Sequence, residues 1–503
     1  MRTARDTVVA EPDSVPRLTP ERLPTLPPGV RRPPFRPAEL GTGIVHLGCG
    51  AFHRAHQALI TQHAIAATGD RRWGIAAVAM SRPDIVETLR AQGNLYTVLL
   101  REGDRVRAES VGAIRAAVHA PSDPLGVARR IADPRVHVVT LTVTASGYCV
   151  CPATGRLDAD CDPVVHDLRR RHEPYSPIGI LVEGLAAIRR GGGRPPTVLS
   201  CDNMAANGHR LRRAAIEFAA LRDDRLAGWI DRNVQFPCSV VDRIVPPATA
   251  ADIAVTRTCL GGLEDRAPVC AEPYLAWTIE DFDGERPAWE LGGAEFVTDV
   301  ADRERAKLRL LNGTHLLLAY LGGLAGHATV ADACADPSLG ALAHRFLCAE
   351  QGPTVRLPEA EIRRAADRLL RRFRNRSIRH DLSRVGRDGS DKLFPQIVAP
   401  MLDNIAAGRP TPIAALVIAA WIHGFASATA PLDHRAADLI ELAHVPDPHR
   451  RASAVLARGD IFGESPDHAR VRAVGDALAE LARDDLTTVV RRRLGPDWEG
   501  SDR

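Results

Sequence analysis

A short apolar run, Ile44-Val45-His46-Leu47, breaks at Gly48-Cys49-Gly50 and gives way to a helical pattern over about residues 52–67. That unit recurs. Further strand signals stand at 75–80, 136–144 and 197–200, separated by helical stretches such as 84–92 and 176–190. Strand–helix alternation over about 250 residues demands a parallel sheet, because parallel strands need a crossover and the crossover helices must bury their apolar faces on the sheet. From about residue 301 the strand signals cease, and 305–324, 359–372, 412–424, 435–443 and 469–483 all read as helix. The expected architecture is therefore α/β: a doubly wound domain over residues 41–295 and an all-helical domain over 296–503. Ahead of them, residues 1–40 are punctuated by Pro12, Pro16, Pro20, Pro24, Pro27, Pro28, Pro33, Pro34 and Pro37, which predicts an extended arm lying on the domain surface. The chain shows no internal repeat.

Composition excludes several classes of function. Net charge is +3 with no block of like charge, so the concentrated basic face that phosphate recognition needs is missing and no nucleic-acid partner is expected. Arg491-Arg492-Arg493 reads as a solvated helix end. The ten cysteines show neither a Cys-x-x-Cys pair nor zinc-type Cys/His spacing, which predicts reduced thiols, a cytoplasmic protein and no metal. No apolar run approaches membrane-spanning length, and the N-terminus lacks the h-region of a signal peptide.

Among the 65 basic residues only Lys307 and Lys392 are lysine. A bias that strong fits codon pressure toward arginine, with the two lysines standing either by chance at the surface or where arginine does not serve. Arginine keeps its charge in any protein environment, whereas a desolvated lysine can release its proton near neutral pH. A lysine in an apolar helix is on that ground alone a general-base candidate. The segment around Lys307 strengthens it. At about 100° per residue, Lys307, Asn312 and His315 fall at roughly 0°, 140° and 80° on one broad arc, with Leu308, Leu310, Leu311, Leu316 and Leu317 around them. Three polar side chains in such a helix need partners, either in a functional cleft or in an internally satisfied network.

Gly48-x-Gly50, directly after a strand and opening a helix, fits a nucleotide-binding turn: glycines admit a pyrophosphate to the backbone, and the helix start offers N–H groups. His53 occupies the position of the usual third glycine. At the end of the 75–80 strand, Asp84 is the candidate for the ribose diol of NAD, while Ser81 and Arg82 suit the 2′-phosphate of NADP; the reading adopted is NAD, with NADP the alternative. Asn203, in Ser200-Cys201-Asp202-Asn203, follows the strand at 197, where doubly wound sheets bind ligands, although Asp-Asn is also a common turn or helix cap. Asp242, in Val241-Asp242-Arg243-Ile244, either orients a base near the site or forms an ion pair with Arg243.

Taken together, Gly48-x-Gly50-x-Phe52-His53-Arg54-x-His56-Gln57, Ser-Cys-Asp-Asn at 200–203, Val-Asp-Arg-Ile at 241–244, Cys270-x-Glu272-Pro273 and Lys307-x4-Asn312-x2-His315 resemble the polyol-specific long-chain dehydrogenases, the family of mannitol 2-dehydrogenase and fructuronate reductase. The likeness runs from about residue 20 to 480 with the motifs in the family's order. It implies a zinc-independent, NAD(P)-linked oxidoreductase with a Rossmann-type N-terminal domain and a helical substrate and catalytic domain. By position, Lys307 matches the family's general base, Asn203 and Asn312 its paired oxyanion donors, and His315 a residue that orients substrate. Asp242 falls on a motif aspartate near the site, Phe52 joins Gly48 and Gly50 in the cofactor loop, and Arg384 and Lys392 match a stretch that contacts substrate. That stretch is normally preceded by Asn-Pro, and here by Asn375-Arg376.

The roles agree with the chemistry. Oxidising a secondary alcohol without zinc needs a base for the hydroxyl proton, an acceptor for hydride and donors for the developing oxyanion, each donor worth about 3 kcal/mol. The wording around Gly48, Phe236-Pro-Cys and Leu311-Asn-Gly-Thr-His resembles the fructuronate reductases, which interconvert D-mannonate and D-fructuronate. The arm around Leu18-x4-Leu23 and Arg384 itself resemble the mannitol or arabinitol enzymes. The expectation adopted is the uronate, acting as a monomer or small homo-oligomer. A non-catalytic nucleotide or sugar sensor on the same fold is the remaining alternative, which the retention of Lys307, Asn312 and His315 disfavours.

Overall fold

Strands buried on both faces carry continuous apolar runs rather than alternation, and five such strands build the central sheet. In the computed structural model, which describes residues 15–151, 155–427, 431–463 and 466–495, the chain falls into two units that part between Val300 and Ala301. The strands of the first are β1 (Thr42–Leu47), β2 (Gly74–Ala79), β3 (Tyr96–Glu102), β4 (Arg105–Val111), β5 (Ile114–His119), β6 (Val138–Leu141), β7 (Thr197–Ser200), β8 (Ser239–Asp242), β9 (Val269–Ala271), β10 (Ala276–Glu280) and β11 (Ala294–Val297). The central sheet runs β5-β2-β1-β6-β7, parallel throughout. Side chains alternate between two cores: Ile44, Ile75 and Ala77 enter one, Val45, Leu47, Ala76 and Val78 the other. Strand order reverses between β1 and β6, and ligands of doubly wound sheets bind at the carboxyl ends beside such a reversal.

Two small sheets lie outside that frame. The β3–β4 hairpin is antiparallel, turns at Gly103-Asp104 and takes β9 as a parallel neighbour; β10 pairs β8 antiparallel and β11 parallel. The proline-rich arm docks through Leu18, Leu23, Leu26 and Val30, which share a cluster with Leu95, Leu99, Ala108, Leu260 and Leu263. Residues 1–14 of the arm, Pro12 among them, lie outside the described residues.

The second unit contains no strand among its described residues. Its axis is Pro412–Phe425, where twelve residues from Ile413 to Phe425 are buried. Glu350 holds the start of this helix, its carboxylate accepting from Ile413 N and Ala414 N at 2.8 Å each. Burial pushes that carboxyl up to about 7. Among the described residues of this unit, three helical turns are π-type: Lys307–Asn312, Phe346–Gln351 and Phe394–Val398. They meet at Gly313, where a Cβ would lie 2.8 Å from both Gln351 Nε2 and Gln396 O. Among the described residues, no helix is long and apolar enough to cross a membrane.

Candidate active site

In the first unit the turn after β1 has little room. Gly48 has φ +109° and a Cβ there would overlap the Thr142 carbonyl beyond β6, so this position requires glycine. Gly50 differs: its φ is −84° and the nearest atom to an added Cβ is 3.9 Å away. One glycine thus permits close packing of β1 on β6, and the other leaves its surroundings open. His46 explains the missing third glycine. Its Nδ1 lies 2.7 Å from Thr140 Oγ1, its Nε2 3.0 Å from Gly48 O, and the His53 ring stacks flat on it with centroids 3.4 Å apart. Burial pushes His46 down to about 3 and His53 well below its ordinary range, so two neutral imidazoles lie against each other where helix and strand otherwise meet through glycine. Phe52 is half-buried and stacks on His56 at 5.0 Å.

Past β2, Asp84 is exposed and paired with Arg82, Nη2 to Oδ2 at 2.6 Å and Nε to Oδ1 at 3.0 Å. The acidic and basic candidates for the ribose are therefore one ion pair.

Asn203 stands exposed just beyond β7. Its neighbour Asp202 sets the loop: Oδ1 accepts from Thr144 N at 2.8 Å, and Oδ2 from Val143 N at 3.0 Å and Tyr148 Oη at 2.6 Å. Thr144 is held at φ +65°, a strained value for threonine, beside the strand-order reversal. Burial raises the Asp202 carboxyl above its usual range, against the pull of these hydrogen bonds. Sequence reading named Asp202 only within the Ser-Cys-Asp-Asn motif, as a turn or cap, and passed over Tyr148.

Asp242 ends β8, half-buried. Arg243 turns to main-chain carbonyls, Nε and Nη2 donating to Glu272 O at 3.0 and 2.8 Å and Nη1 to Ala55 O. The Glu272 carboxylate accepts from Ile244 N at 2.7 Å. The Val-Asp-Arg-Ile and Cys-x-Glu-Pro motifs thus tie β8, β9 and the helix after Gly50 together.

In the second unit, helix Ala301–Ala306 runs into the π turn Lys307–Asn312 and on into Gly313–Leu324. Gly313 N bonds to Leu308 O, five residues back. The wider turn brings Asn312 back toward the side of Lys307, so the 140° separation expected of a regular helix does not apply. Such bulges recur at functional sites. Lys307 is half-buried, while Asn312 and His315 are buried.

His315 stacks on Phe373 at 4.1 Å and meets His380 edge-on at 5.0 Å. Burial drives His315 well below its ordinary range, with His380, Arg372, Lys307 and Lys392 acting in the same direction. His380 falls to about 4 through burial and the Arg384 charge. It is a neighbour of the site that sequence reading missed, four residues ahead of Arg384.

Lys392 Nζ donates to Val385 O at 3.2 Å and Arg387 O at 2.5 Å, closing the turn that carries exposed Arg384. Gly386 and Gly389 seat this turn on Tyr320, whose hydroxyl donates to Gly386 O at 3.2 Å. Where the resemblance expects Asn-Pro, Asn375 Oδ1 accepts from Ser377 Oγ at 2.6 Å, so an Asx-type turn shapes the loop instead.

Residues 42–291 match the mannitol dehydrogenase Rossmann domain and residues 299–481 the mannitol dehydrogenase C-terminal domain. The chain belongs to the mannitol dehydrogenase family. It is an oxidoreductase of secondary alcohols. It is 39% identical over 472 residues to the uncharacterized oxidoreductase YeiQ of Escherichia coli K12, covering 91% of this chain and 96% of that protein. The D-mannonate oxidoreductase of the same organism is 40% identical over 399 residues, 78% of this chain and 82% of its own. Pseudomonas fluorescens mannitol 2-dehydrogenase, solved as a ternary complex with NAD and D-mannitol, superposes with a TM-score of 0.84 at 33% identity, over 95% of this chain and 99% of that one.

Proposed function

We propose that this mannitol dehydrogenase family member is an NAD-linked reductase interconverting D-fructuronate and D-mannonate. The observation that carries the uronate is the charge around the two neutral histidines of the second unit. Lys307, Arg372 and Lys392 act on His315, and Arg384 acts on His380. Asp381 acts on His380 in the opposite sense, and Asp388, Asp391 and Asp433 act on Lys392, but every charge named around His315 is positive, which favours a carboxylate-bearing sugar over a neutral polyol. The likeness to D-mannonate oxidoreductase supports the same reading. The likeness to mannitol 2-dehydrogenase favours mannitol and fructose as the second reading.

The Gly48–Gly50 turn suits a nicotinamide dinucleotide: glycine conformation is required at the first position and space is open at the second. When bound, the cofactor supplies or accepts the hydride. Lys307 delivers a proton to the keto oxygen in reduction and takes the hydroxyl proton in oxidation. The amide N–H groups of Asn312 stabilise the oxygen as its charge develops, a role the resemblance also gives to Asn203. Neutral His315, fixed by Phe373 and His380, orients the sugar hydroxyls, and Arg384 takes the carboxylate. Lys392 holds the Arg384 turn closed. NADH and NADPH oxidation measured with fructuronate and with fructose tests the proposal. Fructuronate with NADH should give the highest kcat/KM, and Arg384→Ala should lose more with fructuronate than with fructose. A clear preference for fructose would overturn the uronate assignment.

A further inference from the structure

Outside the residues assigned to catalysis, the first unit gathers an imidazole, a thiol and a carboxylate at one point. Ligand atoms of His209, Cys238 and Glu280 all lie within 4.8 Å of one another. These residues come from the first turn of helix Asn207–Ala220, the residue before β8 and the last residue of β10. Their sequence separation hides them from any spacing rule.

We propose that His209, Cys238 and Glu280 form a binding site for a thiophilic divalent cation of the zinc class. The donor set decides the class: thiolate and imidazole select zinc-like ions over calcium or magnesium, which take oxygen cages. Three protein donors leave a fourth position for water in a tetrahedral shell. Charge closes as well, since one thiolate and one carboxylate balance a dication. On binding, the Cys238 S–H bond breaks, the sulfur pair bonds the metal and the proton leaves to solvent.

The frame around the three donors is rigid. Asn207 Nδ2 donates to Ser239 O at 2.8 Å, and Ser239 N donates to Asn207 Oδ1 at 3.0 Å, clamping the residues near His209 to those beside Cys238. Gly208 lies so close to this segment that a Cβ would stand 2.5 Å from both Phe236 O and Pro237 O. Cys238 N donates to Glu280 Oε2 at 2.8 Å while Glu280 N donates to Cys238 O at 3.0 Å, which orients the carboxylate beside the sulfur. Cys238 is buried and His209 exposed, so an ion enters from solvent by way of the imidazole. Asn207 Nδ2 also donates to Asp202 O at 2.9 Å. An ion here therefore braces the base of the Asn203 loop from outside the substrate site, a structural rather than chemical role.

Titrating the full-length protein with Co²⁺ alone tests the site, because thiolate ligation produces a charge-transfer absorption that oxygen or nitrogen ligation does not. One equivalent should saturate the band. Cys238→Ser should abolish it, Cys348→Ser should leave it intact although that thiol also neighbours a histidine, and His209→Gln should weaken binding at least about tenfold. Exposed His209 can be replaced without loss of fold, so a rise in Tm on adding Zn²⁺ that disappears in His209→Gln is a second readout. Absence of the band at saturating Co²⁺, or its persistence in Cys238→Ser, overturns the proposal.

Discussion

Gly48 and Gly50 stand two residues apart in one loop, yet the structure separates what each contributes. At Gly48 an alanine must hold φ +109° and place its Cβ 2.8 Å from the Thr142 carbonyl carbon, overlapping the attached oxygen. The backbone strain costs about 1–3 kcal/mol. Forcing β1 and β6 apart adds about 1–3 kcal/mol. At roughly 2–4 °C per kcal/mol for a large domain, Gly48→Ala should lower Tm by at least about 4 °C. Gly50 already has the backbone of an ordinary extended residue, with nothing nearer than 3.9 Å. Gly50→Ala should therefore change stability by less than about 1 kcal/mol. If a pyrophosphate lies against that backbone, however, the methyl group blocks a charge-assisted hydrogen bond of about 1.5–3 kcal/mol, or about tenfold to a hundredfold in NADH affinity. Thermal melts paired with NADH fluorescence titrations read both effects. NADH binding of wild-type strength by Gly50→Ala, or wild-type melting of Gly48→Ala, would refute the reasoning.

Two further substitutions probe the supporting structure. Glu350 titrates near 7 in the fold and near 4.5 in the open chain, so stability from this group is full below the lower value and is lost as pH rises through the higher. That loss is about 3 kcal/mol, and Glu350→Gln should flatten the pH dependence of the urea midpoint between about pH 4.5 and 7. Asp202→Asn turns an acceptor of three hydrogen bonds into a group that clashes with at least one donor; it should cost about 1–3 kcal/mol by urea unfolding and lower kcat by loosening the Asn203 loop.

Much of the fold was legible because parallel strands advertise themselves. The runs that became β1, β2, β6 and β7 are apolar on both faces, and glycine or a helix follows each. The β3–β4 hairpin was missed although Gly103-Asp104 between two strand-like runs is a hairpin signal; burial divides the strands end to end, with Glu102, Arg105 and Arg107 exposed near the turn and Glu109 buried at the far end, so no alternation marks them. In the site, lysine scarcity pointed to Lys307, and Asn312 and His315 stood out as polar residues among leucines. The π turn that changes their mutual angle was invisible, because packing against Gln351 and Gln396 around Gly313 accompanies it and no local propensity encodes it. His53 read as a defect in a glycine fingerprint, and only the stack on His46 shows it as a substitute packing solution. His380 and Asp202 were hidden for a similar reason: each acts through a neighbour, His315 in one case and Thr144 in the other.

The proton transfer assigned to Lys307 carries the account. The direct measurement is steady-state turnover of Lys307→Ala with fructuronate and NADH, alongside NADH affinity of the same variant. Loss of the general acid–base group should lower kcat by about 10²–10⁴-fold while NADH binding stays at the wild-type level. Turnover within a few-fold of wild type would contradict the assignment.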